Sequence, residues 1–97
     1  MYVRIVRGQP KPGQVAEVAK RWEVAAPRLR TMPGFRASYF CGDAAANTTV
    51  AVSLWDEHPD TEAMRQMMRE VSAQMQDITT GPPSVETHEV LAQVQAG

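Results

Sequence analysis

A single cysteine, Cys41, in 97 residues excludes an intrachain disulfide framework and any cysteine-rich metal site. The two histidines, His58 and His88, stand far apart and have no neighbours at metal-ligand spacing. No metal is therefore expected. No apolar run approaches the roughly 20 residues of a membrane span. Arg4 and Arg7 interrupt what would be the apolar region of a leader peptide. A net charge of −1 carries no electrostatic footprint for nucleic acid or an anionic membrane as partner. There is no glycine-rich phosphate loop, no GxSxG elbow and no CxxC pair. Nucleotide-dependent, hydrolase and thioredoxin-like chemistries are set aside on that basis. These absences leave a reducing, cytoplasmic setting as the expectation. Large rings are scarce as well, with two phenylalanines against six methionines. Soft, unbranched side chains must do much of the filling.

What is present is an alternation of short apolar strands and long amphipathic helices. Met1–Arg7 reads as a strand, stopped by Gly8-Gln9-Pro10-Lys11-Pro12-Gly13. Pro12–Arg30 reads as a helix, with Val15, Val18, Ala19, Trp22, Ala26 and Leu29 at steps of three and four. Pro27 should kink or restart it, because proline lacks the amide donor and crowds the preceding turn. Phe35–Cys41 and Thr48–Trp55 read as a hairpin. Pro59–Ile78 reads as a second helix, its stripe formed by Met64, Met67, Met68, Val71, Met75 and Ile78. Ser84–Val94 reads as the closing strand. The order β-α-β-β-α-β predicts an α+β, ferredoxin-like protomer: an antiparallel sheet with both helices on one face. The length fits one domain over residues 1–97.

The third strand divides its two faces sharply. Val50, Val52 and Leu54 share one face, and Thr49, Ala51, Ser53 and Trp55 share the other. Small side chains such as Ala51 and Ser53 cannot fill the space beneath a helix. Either methionines reach down into it, or a cavity remains. The branched apolar face is then expected to be buried against something outside the protomer.

Pro33-Gly34-Phe35 leading into the second strand, with Trp55-Asp56 closing the third and opening into a helix, resembles the antibiotic-biosynthesis-monooxygenase type of dimeric α/β-barrel protein. In element order, spacing and length the resemblance covers nearly the whole chain. It implies a homodimer in which two sheets pack by their bare faces, with helices outside. It also implies a small-molecule pocket beside Trp55, and oxygenation of phenols or quinols without metal or flavin. A heme-degrading branch of such proteins pairs this tryptophan with a first-strand asparagine and a second-helix histidine. Here the first strand has no asparagine, and Thr61–Ile78 has no histidine. That chemistry is not expected.

The candidate site residues each carry two readings. Trp55 is a pocket wall, as the resemblance implies, or core beneath a helix. Tyr39 hydrogen-bonds a ligand oxygen or is a half-buried strand tyrosine. His88 is a general base for a phenolic proton, its titration lying near neutrality, or an interface histidine. Arg4, like Arg36, lies within a strand, so it must pair with an acid, reach solvent or face a polar cavity. Ser53 joins Trp55 and Arg4 as a substrate contact. His58 reads as a residue leading into the second helix, and Cys41 as structural. The function expected is a cofactor-independent monooxygenase-like protein acting on a small aromatic or quinol substrate. The competing expectation is a non-catalytic dimeric domain that binds a small molecule or serves as a pathway accessory.

Overall fold

Four segments with a two-residue apolar period and two with a helical period build the expected architecture. The computed structural model describes residues 1–97. Its elements are β1 (Tyr2–Gly8), α1 (Val15–Ala25), β2 (Phe35–Asp43), β3 (Thr48–Trp55), α2 (Thr61–Gln74) and β4 (Ser84–Glu89). The sheet order is β2-β3-β1-β4, and every neighbouring pair is antiparallel. This is a ferredoxin-like α+β fold.

The element bounds differ from expectation for local reasons. α1 ends at Ala25 and tightens into a 3₁₀ segment, Ala26–Thr31, with Pro27 in its first turn. Proline cannot donate the next α-helical bond, so the chain restarts as expected. α2 begins after Pro59 because Asp60 caps it, its carboxylate accepting the Ala63 N–H at 3.0 Å. β4 ends at Glu89, where pairing with Tyr2 uses up β1; the expected continuation to Val94 does not form. Past that point Leu91 and Val94 are exposed.

Directly paired strand residues share a face. Register therefore sets Tyr2, Arg4, Val6 and Gly8 beside Trp55, Ser53, Ala51 and Thr49. This face meets the helices. Val18, Trp22 and Leu29 come down from α1 and its extension, and Met64, Met67, Val71, Met75 and Ile78 from α2 and the turn after it. Met67 and Trp55 lie wholly buried. On the other face Val3, Ile5, Val50, Val52 and Leu54 are half-buried, with nothing of this chain packed above them.

A polar latch joins the helical layer. Arg21 of α1 donates to the Asp77 carboxylate at 2.7 Å, to the Gln74 carbonyl at 2.9 Å and to Glu17 at 3.1 Å. Its hydrogen bond holds the Asp77 carboxyl below the usual carboxylate range. A depressed acid stabilises the fold above its unfolded-state pKa, and that contribution disappears as pH falls through the folded-state value.

Met67 should be the side chain on which the helix-to-sheet packing most depends. Met67→Ala is expected to cost about 2–5 kcal/mol in urea unfolding. Val24→Ala, at a position 81% exposed, should stay within about 0.5 kcal/mol. Equal costs at the two positions would contradict this packing.

Candidate functional site

The two halves of the Pro33-Gly34-Phe35 and Trp55-Asp56 motif meet in space. Gly34 adopts φ +81°, which favours glycine, and a Cβ there would lie 2.8 Å from Glu57 Cγ, so that side chain would have to shift. Its carbonyl accepts the Asp56 N–H at 2.7 Å. Phe35 pairs with Trp55 across the strands, their rings edge-to-face at 5.3 Å. Just beyond, a bulge between Phe35 and Ala37 shifts the register.

That bulge decides where Tyr39 goes. Phe35 stands opposite Trp55 on the helix side, yet Tyr39 pairs with Val52 and lies on the bare face, 59% exposed. His88 pairs with Val3 and shares that same bare face. Neither joins Trp55, Ser53 and Arg4 within the protomer, so the expected grouping of all five residues does not assemble. Trp55 is fully buried, and its indole N–H donates to Ser53 Oγ at 2.9 Å. The pair satisfies itself beneath the helices, and neither residue lines the open space nearby.

The open space lies along α2. A cavity of about 360 Å³ is floored by Val6, Thr49 and Ala51 and walled by Trp22, Phe40 and Met75. None of its lining residues titrates near neutrality. Its end is closed by Gln9, Thr79 and the Gly81–Pro83 turn. Two backbone bonds hold that end together, Lys11 N–H to the Ile78 carbonyl at 2.8 Å and Thr80 N–H to the Gln9 carbonyl at 2.9 Å. The small floor expected of β3 is thus observed at Thr49 and Ala51, and the methionine stripe does not fill the space above it.

A second cavity, about 290 Å³, continues along the same groove toward the start of α2. Arg4, His58, Thr61, Arg65 and Thr87 line it, and Met68 borders both cavities. Arg4 is only 6% exposed. Burial pulls its guanidinium below its ordinary pKa, and no acid stands close enough to pull it back. His58 stacks edge-on against Tyr2 at 5.3 Å, and its Nδ1 lies 2.9 Å from the Pro59 carbonyl. A carbonyl only accepts, so Nδ1 is the donor in this contact and Nε2 takes no part in it. No spacing or motif in the chain signals that His58 and Arg4 line one cavity. No group of three or more His, Cys, Asp and Glu side chains is arranged to hold a metal ion. No helix is long and apolar enough to cross a membrane.

The sequence model for antibiotic biosynthesis monooxygenases matches residues 1–75. The chain belongs to that family. The matched span contains both halves of the motif, both helices and the cavity floor, and ends before β4. Solved structures share the fold. NE2512 from Nitrosomonas europaea, a protein of unknown function, is 25% identical, with a TM-score of 0.71 over 99% of this chain and 95% of its own. SnoaB, a cofactor-independent oxygenase from Streptomyces nogalater, is 15% identical, with a TM-score of 0.71 over 98% and 97%. Rv0793 from Mycobacterium tuberculosis is 16% identical, with a TM-score of 0.70 over 97% and 98%. No curated protein matches the chain.

The two small residues of the β3 floor should respond oppositely to enlargement. Ala51→Leu projects into open volume and is expected to cost less than about 1 kcal/mol, while blocking a planar ligand. Ser53→Leu overpacks the space beneath Trp55 and strands its N–H, so it should cost about 1–3 kcal/mol or more. Thermal unfolding of both variants, with Trp22 fluorescence titrated by planar phenols, checks this. A large destabilisation by Ala51→Leu would mean the cavity is closed in solution.

Proposed function

We infer that this protein is a cofactor-independent monooxygenase-like enzyme that oxidises a small, flat aromatic or quinol substrate in the helix-side groove. The observation that carries the reading is the apolar cavity over Ala51 and Thr49, walled by the rings of Trp22 and Phe40. Aromatic walls and an adaptable methionine roof suit a planar ring system. Family membership supplies the reaction class as analogy, and the cavity supplies a place for it. In such chemistry the substrate is the reductant. Once deprotonated it passes electrons to O₂, one oxygen atom bonds to carbon, and the other leaves as water with the displaced hydrogens. The protein's share is to take a proton, exclude water and hold the ring flat. His58, in the wall of the adjoining cavity, is the base proposed to take that proton, while Trp55 and Ser53 form the solid end of the same sheet face beside the floor.

One observation favours the non-catalytic alternative. The larger cavity has no titratable side chain in its lining, as a site that only binds would have.

The bare sheet face completes the proposal as a homodimer contact. Val3, Ile5, Val50, Val52 and Leu54 together form an apolar surface that a stable monomer rarely leaves open, and two-fold pairing covers it. Tyr39 and His88 then belong to this contact and lie away from the substrate groove.

Oxygen uptake with a planar quinol such as a dihydroxynaphthalene, in protein stripped of metal by chelation, tests the activity. Catalysed uptake should appear, with ¹⁸O from labelled O₂ in the product, and should fall at least tenfold in Ala51→Leu. Binding without catalysed uptake across a panel of quinols would select the non-catalytic alternative. Sedimentation equilibrium in the same buffer should return a dimer at micromolar concentration, and a monomer would remove the sheet-face contact.

A further inference from the structure

Buried arginines ordinarily announce their partners, and Arg4 has none. It lies on the helix face of β1 between Ser53 and Thr87, only 6% exposed. The chain's salt bridges engage Arg7, Arg21, Arg28, Arg36, Arg65 and Arg69, and Arg4 joins none of them. No side-chain hydrogen bond reaches it either. Its nitrogens are nevertheless not sealed: Asn47 Oδ1 is the one side-chain polar atom wholly buried without a partner. The guanidinium therefore opens onto the cavity that it lines.

An arginine does not shed its charge in a protein. Withdrawing a lone cation from water is costly, and the structure returns no compensating contact. The other polar groups of this cavity lack the missing charge. Arg65 is a second cation, Thr61 and Thr87 are hydroxyls, and His58 is a neutral or cationic ring. No acid lines it.

The neighbouring cavity supplies the complement. Val6 lines it two residues along β1 from Arg4, about 6–7 Å away on the same face. Met68 borders both spaces from above, and it is unbranched and half-buried, so its rotation can join them.

We propose that the two cavities form one bipartite site for an organic anion, with a flat apolar body over Ala51 and an anionic oxygen, carboxylate or ionised phenol, held by the guanidinium of Arg4. The proposal rests on reading the helix-side groove as the ligand site and adds the charge of the ligand. Arg4 is then a binding residue whose fork takes an oxyanion in two parallel hydrogen bonds. His58 and Thr87 border the same oxygen's position.

Isothermal titration calorimetry on the intact protein tests this with four probes: naphthalene-2-carboxylate, a nitronaphthol ionised at the assay pH, neutral naphthalene-2-carboxamide, and inorganic phosphate. Both aromatic anions should bind at least about tenfold more tightly than the carboxamide. Their order tells carboxylate from phenolate as the natural group. Phosphate, lacking the flat body, should bind far more weakly. Arg4→Met should abolish the anion preference while leaving carboxamide binding in place, and Arg4→Lys should keep part of it. Without ligand, Arg4→Met should melt no lower than wild type, since it removes an unpaired buried charge; a partner-bound structural arginine would behave in the opposite way. Equal binding of carboxylate and carboxamide overturns the proposal, as does phosphate binding as tightly as the aromatic anions. None of these readings requires turnover. A protein that discriminates anions but consumes no oxygen keeps this site and loses the oxygenase reading. One that oxidises quinols without anion preference does the reverse.

Discussion

A strand must serve two surfaces at once, because its side chains alternate between them. β3 sits second in the sheet, flanked by β2 and β1, so both of its faces are central. One set of alternating positions, Val50, Val52 and Leu54, is branched and apolar. The other, Thr49, Ala51, Ser53 and Trp55, is small until the final ring. The first set makes an open face that asks to be covered, and the second makes a shallow floor beneath two helices. A one-residue slip in register would exchange the two and abolish the groove. The Gly34–Asp56 bond, the Phe35–Trp55 ring contact and the bulge beside them fix that register at the end of the hairpin.

From this floor the remainder follows in order. Trp55 fills one end and satisfies its N–H on Ser53, so that end is solid. Toward Ala51 and Thr49 nothing equally large descends, and space persists between sheet and α2. On β1 the same face carries Arg4, whose charge needs a partner that the chain does not provide. Solid core, apolar cavity and unpaired cation thus lie side by side on one surface, and each is set by a few alternating residues.

Much of the fold was legible because it rests on periodicity. The β-α-β-β-α-β order, the restart at Pro27 and the methionine stripe of α2 all follow from local spacing and proline chemistry. The β3 faces could be read because no bulge interrupts that strand. β4 is shorter than its sequence pattern, since its length depends on how far β1 runs beside it. The start of α2 is set by the Asp60 cap on the Ala63 N–H, one residue after the proline that the sequence pattern marks. The site was less legible. Tyr39 lies on the opposite sheet face from the one expected because the bulge between Phe35 and Ala37, on its own strand, shifts the parity of the rest of β2. His88 alternates onto the bare face with Glu86. His58 shares a cavity wall with Arg4 only because the loop before α2 folds back over β1 and sets its ring against Tyr2, a proximity between residues more than fifty positions apart that no local pattern encodes.

The central claim is that ligands enter on the helix side, beneath α2 and over the small floor of β3. Methyl NMR of protein labelled at methionine, isoleucine and valine methyl groups, titrated with 2-naphthol, tests it most directly. Met68 and Met75 line the groove and should shift on binding, while Met1 and Met32 stay in place. Shifts confined to Ile5 and Val52 on the opposite sheet face, with Met68 and Met75 unmoved, would contradict the account.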